Sequence, residues 1–456
     1  MKEFQVGFGR VVANPPMGIR MAGYYVERRA DGILDDIEFN AIAIKNQDKL
    51  ALLIAFDHVG IKQELANEIC LAVSSATGVS IAGVYFSQTH IHTGPDLVPF
   101  NERYDKGTYD ESIRENYSKD LISKAIEVSK MAISDLKPAK MGYGVGRAPN
   151  VAFIRRYRMK DGSVRTNPGV NNPDILAPLG EVDERVNVIR FDRENAQTIV
   201  FINFANHPDT IGGTKISADW PGFARRTIEK VLDNTKCIFF NGAQGDVNHV
   251  NVCPKGGFFN DMQVDFDDVS RGYGHARYIG RVVTAGVLQA FDKVKYVDNP
   301  SLTYLKRVIK VPSNRPKKED VPNAILINDL HIAGRDNEIP YTGMMLTTIV
   351  AEAGRMIRLK DGPDYFEMTL SGVKIGPIAL IGIPGEPFTA IGRALKETNG
   401  YEMVCPTCAT CGYEGYFPTK DAYDEGGYEA RCSNFASGGA EYIIKEGKIL
   451  LDDLKK

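Results

Sequence analysis

The chain has 456 residues, 43% of them apolar, and a formal net charge of −3. That length and composition suffice to bury a large core, and the absence of any basic tract of five or more residues excludes an electrostatic footprint for nucleic acid. The longest apolar runs are of strand length, well short of the roughly twenty residues that a membrane span needs; the opening residues lack the apolar stretch of a signal peptide, and seven unevenly placed cysteines suggest a reducing cytoplasm.

Short apolar runs rich in Ile, Val and Phe, bounded by turn residues, read as strands over 39–46, 50–57, 81–88, 198–205, 236–241 and 377–384. Helical patterns follow several of them. One covers 112–136, with apolar residues at Ile113, Tyr117, Leu121, Ala125, Ile126 and Ile133. A second starts at Asp219 as N-cap, with Pro221 in its first turn. A third covers 275–294. The alternation argues an α/β fold with buried sheets. No internal repeat or low-complexity linker interrupts it, and only the segment from Ser313 to Asn323 reads as an exposed insertion. One domain over 1–456 is expected.

Four strand ends carry chemically loaded residues. His90 and His92 follow the 81–88 strand two residues apart, so in an extended chain they face the same way. One could bind a metal while the other acts beside it; the bare pair equally fits two hydrogen-bonded loop histidines. His207 follows the 198–205 strand within Asn206-His207-Pro208-Asp209. The turn Gly242-Ala243-Gln244-Gly245-Asp246-Val247-Asn248-His249 follows the 236–241 strand and places two ionisable groups, Asp246 and His249, beside glycines that permit a tight turn. Glu386, in Pro384-Gly385-Glu386, opens a helix, where a carboxylate serves either as a cap or as a rigid ligand. Together these residues make the histidine-and-carboxylate set that zinc uses in catalytic sites. His275 and His331 read as structural, and His58, after Asp57, fits either role.

The order of these motifs resembles the neutral, non-lysosomal ceramidases. Their Thr-His-Thr-His-Ser-Gly-Pro is similar to Thr89-His90-Ile91-His92-Thr93-Gly94-Pro95, and their Pro-Gly-Glu to Pro384-Gly385-Glu386. Their tyrosine-rich stretch ending in Tyr-Glu-Ala matches the spacing from Tyr416 through Tyr423 to Tyr428-Glu429-Ala430. The resemblance spans about 6–442. It implies two stacked mixed β-sheets flanked by helices and one zinc ion held by His90, His207, Glu386 and Tyr416. His92 stands off the metal in this reading. Tyr428 contacts the substrate carbonyl, and Arg155, with Arg156 as the alternative, is the active-site arginine. The family's C-terminal immunoglobulin-like domain is not expected in this chain.

One departure concerns mechanism. The family's Gly-Asp-Val-Ser-Pro-Asn is Gly245-Asp246-Val247-Asn248-His249-Val250 here, so Asn248 replaces the proposed nucleophilic serine. An amide is not a nucleophile, and the expectation becomes hydrolysis of an amide or ester by hydroxide on the zinc. Asp246, His92 or His249 accepts the water proton, and Arg155, Tyr428 and Asn248 are donors to the oxyanion. Two alternatives stand beside it: a ligand-binding pseudoenzyme, and a zinc lyase or isomerase acting on a small sugar-like or acidic substrate. The paired arginines favour a small polar molecule over a lipid. Cys405, Cys408 and Cys411, with Cys432 or Cys253, have spacing that permits a second metal, but buried reduced thiols are the expected outcome.

Overall fold

The computed structural model describes residues 4–98, 109–255, 261–264 and 269–456. Nine strands build the larger sheet: β1 (Phe4–Val12), β2 (Glu38–Asn46), β3 (Lys49–Phe56), β4 (Val84–Gln88), β5 (Lys137–Arg147), β6 (Arg185–Arg193), β7 (Thr198–Phe204), β8 (Thr235–Asn241) and β9 (Lys295–Val297). Their order is β8-β7-β6-β5-β1-β2-β3-β4, with β9 added beside β5. The interior pairs are antiparallel, while both edge pairs, β3/β4 and β7/β8, are parallel. A four-stranded sheet follows: β10 (Leu302–Pro312), β11 (Tyr365–Ile375), β12 (Ile378–Gly382) and β13 (Met403–Thr407), in that order. It too ends in a parallel pair, β12/β13. Both sheets are therefore mixed, as expected.

Side-chain alternation along the strands builds the layers. Ile42, Leu53, Tyr85, Phe201 and Phe240 of the larger sheet share one core with Val373, Leu380 and Met403 of the smaller. Their sequence neighbours point the other way. Ala41, Leu52 and Ile54 pack on helices α1 (Gln63–Thr77) and α2 (Glu111–Ser134). Val188, Ile202 and Phe239 pack on α3 (Asp219–Val231) and α4 (Tyr273–Phe291). Further along the chain come α5 (Val321–Ile332), α6 (Gly343–Leu359), α7 (Thr389–Lys396), α8 (Lys420–Glu425), α9 (Tyr428–Cys432) and α10 (Gly439–Asp453). The outer face of the smaller sheet, with Ile309, Leu370 and Ile381, packs on α7 and α10.

Boundaries differ from the sequence reading in small ways. The start of the 81–88 run is a 3₁₀ turn, and β4 begins at Val84. Asp219 is the first residue of α3 rather than its cap: it has φ +47, and its carboxylate receives the amides of Trp220 and Ile211. The segment from Ser313 is largely exposed, as the sequence reading expects, and runs into α5, with Asn314 N bonded to Asn434 O and Arg355 Nη1 to Asn314 O.

Each parallel pair is joined by a crossover helix: β3-α1-β4, β7-α3-β8 and β12-α7-β13. This connectivity sends the carboxyl ends of the paired strands to the same edge, where α/β folds build their sites. Backbone bonds join the two sheets there, from Cys408 N to Asn241 O and from Gln88 N to Ala409 O. The Asn241 amide donates to Thr89 O and Asn206 O, tying together the loops that carry the first and second histidine motifs.

Candidate metal centre

Three of these loops converge on a buried cluster. His90 leaves β4 in a left-handed conformation, φ +71, which aims its ring inward. Its Nδ1 is held by Val59 O. The His207 Nδ1 lies against Gln244 O at 3.0 Å and Val247 O at 3.1 Å. With carbonyl acceptors on both Nδ1 atoms, each Nδ1 carries a proton, and in the neutral ring Nε2 is the atom left to serve as a metal ligand. The two Nε2 atoms lie 3.2 Å apart. Glu386 brings its Oε2 to 3.1 Å from His90 Nε2 and 3.2 Å from His207 Nε2.

His92 sits in the same cluster, its ring edge-on to His90 and His207 at 5.2 and 5.4 Å. One ring nitrogen from each of His90, His92 and His207 lies within 4.8 Å of the others, so this buried three-histidine group could hold a metal ion. Among the described residues, neither ring nitrogen of His92 has a hydrogen-bond partner. Burial, with His90 beside it, pushes the His92 imidazole well below its ordinary value and keeps it neutral.

Tyr416 pairs in parallel register with Glu386 across two short strands. Its ring stacks with that of His207 at 6.5 Å, and the Arg155 guanidinium lies 5.4 Å from its centroid. Burial and the neighbouring Glu386 push its hydroxyl up, while Arg155 opposes them. Arg155 is fixed by Glu429 Oε1 at 2.6 Å and by Gly245 O at 2.8 Å, and it also reaches over Tyr428. Arg156 turns the other way, to Glu425 and Gly426 O, so of the two arginines Arg155 is the one at the cluster. The Tyr428 hydroxyl contacts that of Tyr25 at 3.1 Å. A cavity of about 280 Å³ opens over the cluster, and its wall includes Tyr25, Tyr413, Tyr416 and Tyr428 beside His92 and Glu386.

The glycine turn directs its polar side chains elsewhere. Asp246 receives the Thr389 amide at 2.7 Å and its hydroxyl at 3.0 Å, capping the start of α7. It lines a different surface cavity, beside Arg156 and Arg393. His249 has a partner on each nitrogen, Asp209 Oδ1 at 3.0 Å and Ser270 O at 2.9 Å. Asn248 donates to Asn167 Oδ1 and accepts from Val250 N, both at 3.0 Å.

Tyr413 was not singled out by the sequence reading. Its hydroxyl donates to Glu386 Oε1 at 2.5 Å, and its ring lies 5.8 Å from that of His90. Asp57 was also passed over: it forms a bidentate buried pair with Arg225 and accepts from Thr89, next to His90. The only available signal for either was proximity to a motif. The cysteines do not gather. Cys405 lies in the core between the sheets, Cys411 packs with Cys70 in the core under α1, and the Cys432 thiol faces Glu429 O.

The sequence matches no family model and no curated protein. Among solved structures it is similar to the neutral ceramidase from Pseudomonas aeruginosa, with a TM-score of 0.71 and 17% identity over 98% of this chain and 74% of that one. It is also similar to a ceramidase complexed with C2, with a TM-score of 0.69 and 15% identity over 99% and 76% of the two chains. At these identities the likeness shows a shared fold.

Proposed function

We propose that the protein is a zinc-dependent hydrolase of an amide or ester bond in a small molecule, with His90, His207, Glu386 and Tyr416 as metal ligands. The observation that carries this reading is the convergence of two Nε2 atoms and one carboxylate oxygen at 3.1 to 3.2 Å. Two imidazoles in the ligand tautomer and an ionised carboxylate fit a catalytic zinc site. The ceramidase likeness in fold supports the reaction class.

A zinc ion held there supplies Lewis acidity and lowers the pKa of a water to about 7. The chain's own residues do the rest. His92 is the proton acceptor in this reading, because among the described residues its nitrogens have no partner, whereas Asp246 and His249 are engaged. Tyr428 and Arg155, at the cluster's edge, donate to the oxygen on which charge develops. Asn248 shapes the turn through Asn167 and Val250.

Elemental analysis of the purified protein tests the reading, together with turnover of a panel of small amides and esters. One zinc per chain, lost in His207→Ala, and turnover by the loaded protein are expected. Full zinc occupancy with no turnover would instead favour a protein that binds its ligand without cleaving it.

A further inference from the structure

The two oxygens of Glu386 have different surroundings. Oε2 faces the Nε2 atoms of His90 and His207, with the Gln244 amide at 3.4 Å. Oε1 receives the Tyr413 hydroxyl at 2.5 Å. The Tyr413 ring is itself held in place. It packs against Gly60, where an added Cβ would come within 2.3 Å of Tyr413 Cγ, and it lies 5.8 Å from the His90 ring. The Gly60 amide in turn donates to His58 Nδ1, so the backbone beneath the tyrosine is fixed as well.

We propose that Tyr413 is a positioning residue for the metal centre: resting on Gly60, it occupies Glu386 Oε1 and leaves Oε2 as the one carboxylate oxygen presented to the ion. The inference rests on the zinc reading above. A carboxylate free to rotate could offer both oxygens and drift from the histidines; a hydroxyl bound to one oxygen removes that freedom. Outer partners of this kind govern metal affinity and ligand orientation. Gly60 takes part because no side chain fits between the backbone at position 60 and the ring.

The test compares the wild-type protein with Tyr413→Phe and Gly60→Ala. Tyr413→Phe removes the hydroxyl and keeps the ring, whereas Gly60→Ala keeps the hydroxyl and displaces the ring. Zinc affinity is read by competition with a chromophoric chelator, and the geometry of the centre by the visible spectrum of the cobalt-substituted protein. Both variants should bind zinc about 10- to 100-fold more weakly, with an altered cobalt spectrum, and the apo-protein melting transition of Tyr413→Phe should stay near that of the wild type. In a Tyr413→Ala background, Gly60→Ala should have no further effect on zinc affinity, since the two act through one contact. If Tyr413→Phe fails to fold, Gly60→Ala decides the matter. Wild-type zinc binding together with variants that match it within twofold, spectra included, would overturn the role of Tyr413 and leave the zinc reading standing. A wild-type protein that takes up no zinc would overturn both.

Discussion

The Nε2 atoms of His90 and His207 face each other at 3.2 Å although 117 positions of sequence separate them. Each ring is pinned from behind by backbone carbonyls, so the approach is set by the ends of β4 and β7 rather than by any attraction between the rings. The scaffold behind that approach makes the first prediction.

Asp57, at the end of β3, joins Arg225 of α3 through a bidentate pair and also accepts from Glu38 N and Thr89 Oγ1. Asp57→Ala would leave the Arg225 guanidinium buried without its main counter-charge. A loss of about 3–5 kcal/mol is expected in urea unfolding. A loss below about 1 kcal/mol would show that the pair does not anchor the His90 loop.

Asp246 supplies a pH signature. Burial raises its carboxyl to about 6, against the Thr389 hydrogen bonds that favour the ionised form. Unfolded, it titrates near 3.9. Between these values the folded state binds more protons, so this group's contribution is fully present below about pH 4, declines as pH rises towards 6, and is then level. Across that window the change is on the order of 3 kcal/mol. Subtracting the stability profile of Asp246→Asn from that of the wild type, between pH 4 and 7, should reveal this decline. A difference that is flat with pH would contradict it.

Asn248 offers no nucleophile, and its amide is committed to Asn167 and Val250. Asn248→Ala should destabilise the protein by about 1–3 kcal/mol while leaving the zinc content unchanged. Once a substrate is found, rapid-quench mass spectrometry should show no covalent adduct on the wild-type chain. A kinetically competent acyl adduct would replace the single-step reading with a two-step one.

The cysteines give an independent check on the packing. Cys253 is exposed, Cys432 half-buried, and Cys70, Cys237, Cys405, Cys408 and Cys411 are buried. A thiol reagent applied to the native protein should label Cys253 rapidly and the buried five only on unfolding. Rapid native labelling of Cys405 or Cys408 would contradict the arrangement of the two sheets.

Strands were readable in the sequence because each buried run, such as 198–205, is apolar and ends at turn residues. Their order was not, since nothing in the pattern of β1 says that it lies between β5 and β2. Motif positions at strand ends were legible for the same reason the strands were: the chain must leave the sheet there. Side-chain direction within a tight turn has no period to read. Asp246, Asn248 and His249 are consecutive or nearly so, yet they face α7, Asn167 and Asp209 respectively. Tyr413 escaped notice because its partner Glu386 is 27 positions away, on a different loop, and a tyrosine three residues before another carries no spacing signal of its own.

The most direct measurement is anomalous diffraction at the zinc absorption edge from crystals of the purified protein. The account predicts one peak, enclosed by His90 Nε2, His207 Nε2, Glu386 Oε2 and the Tyr416 hydroxyl, with Tyr413 still on Glu386 Oε1. No peak at these residues, or a peak held by His90, His92 and His207 with Glu386 turned away, would contradict it.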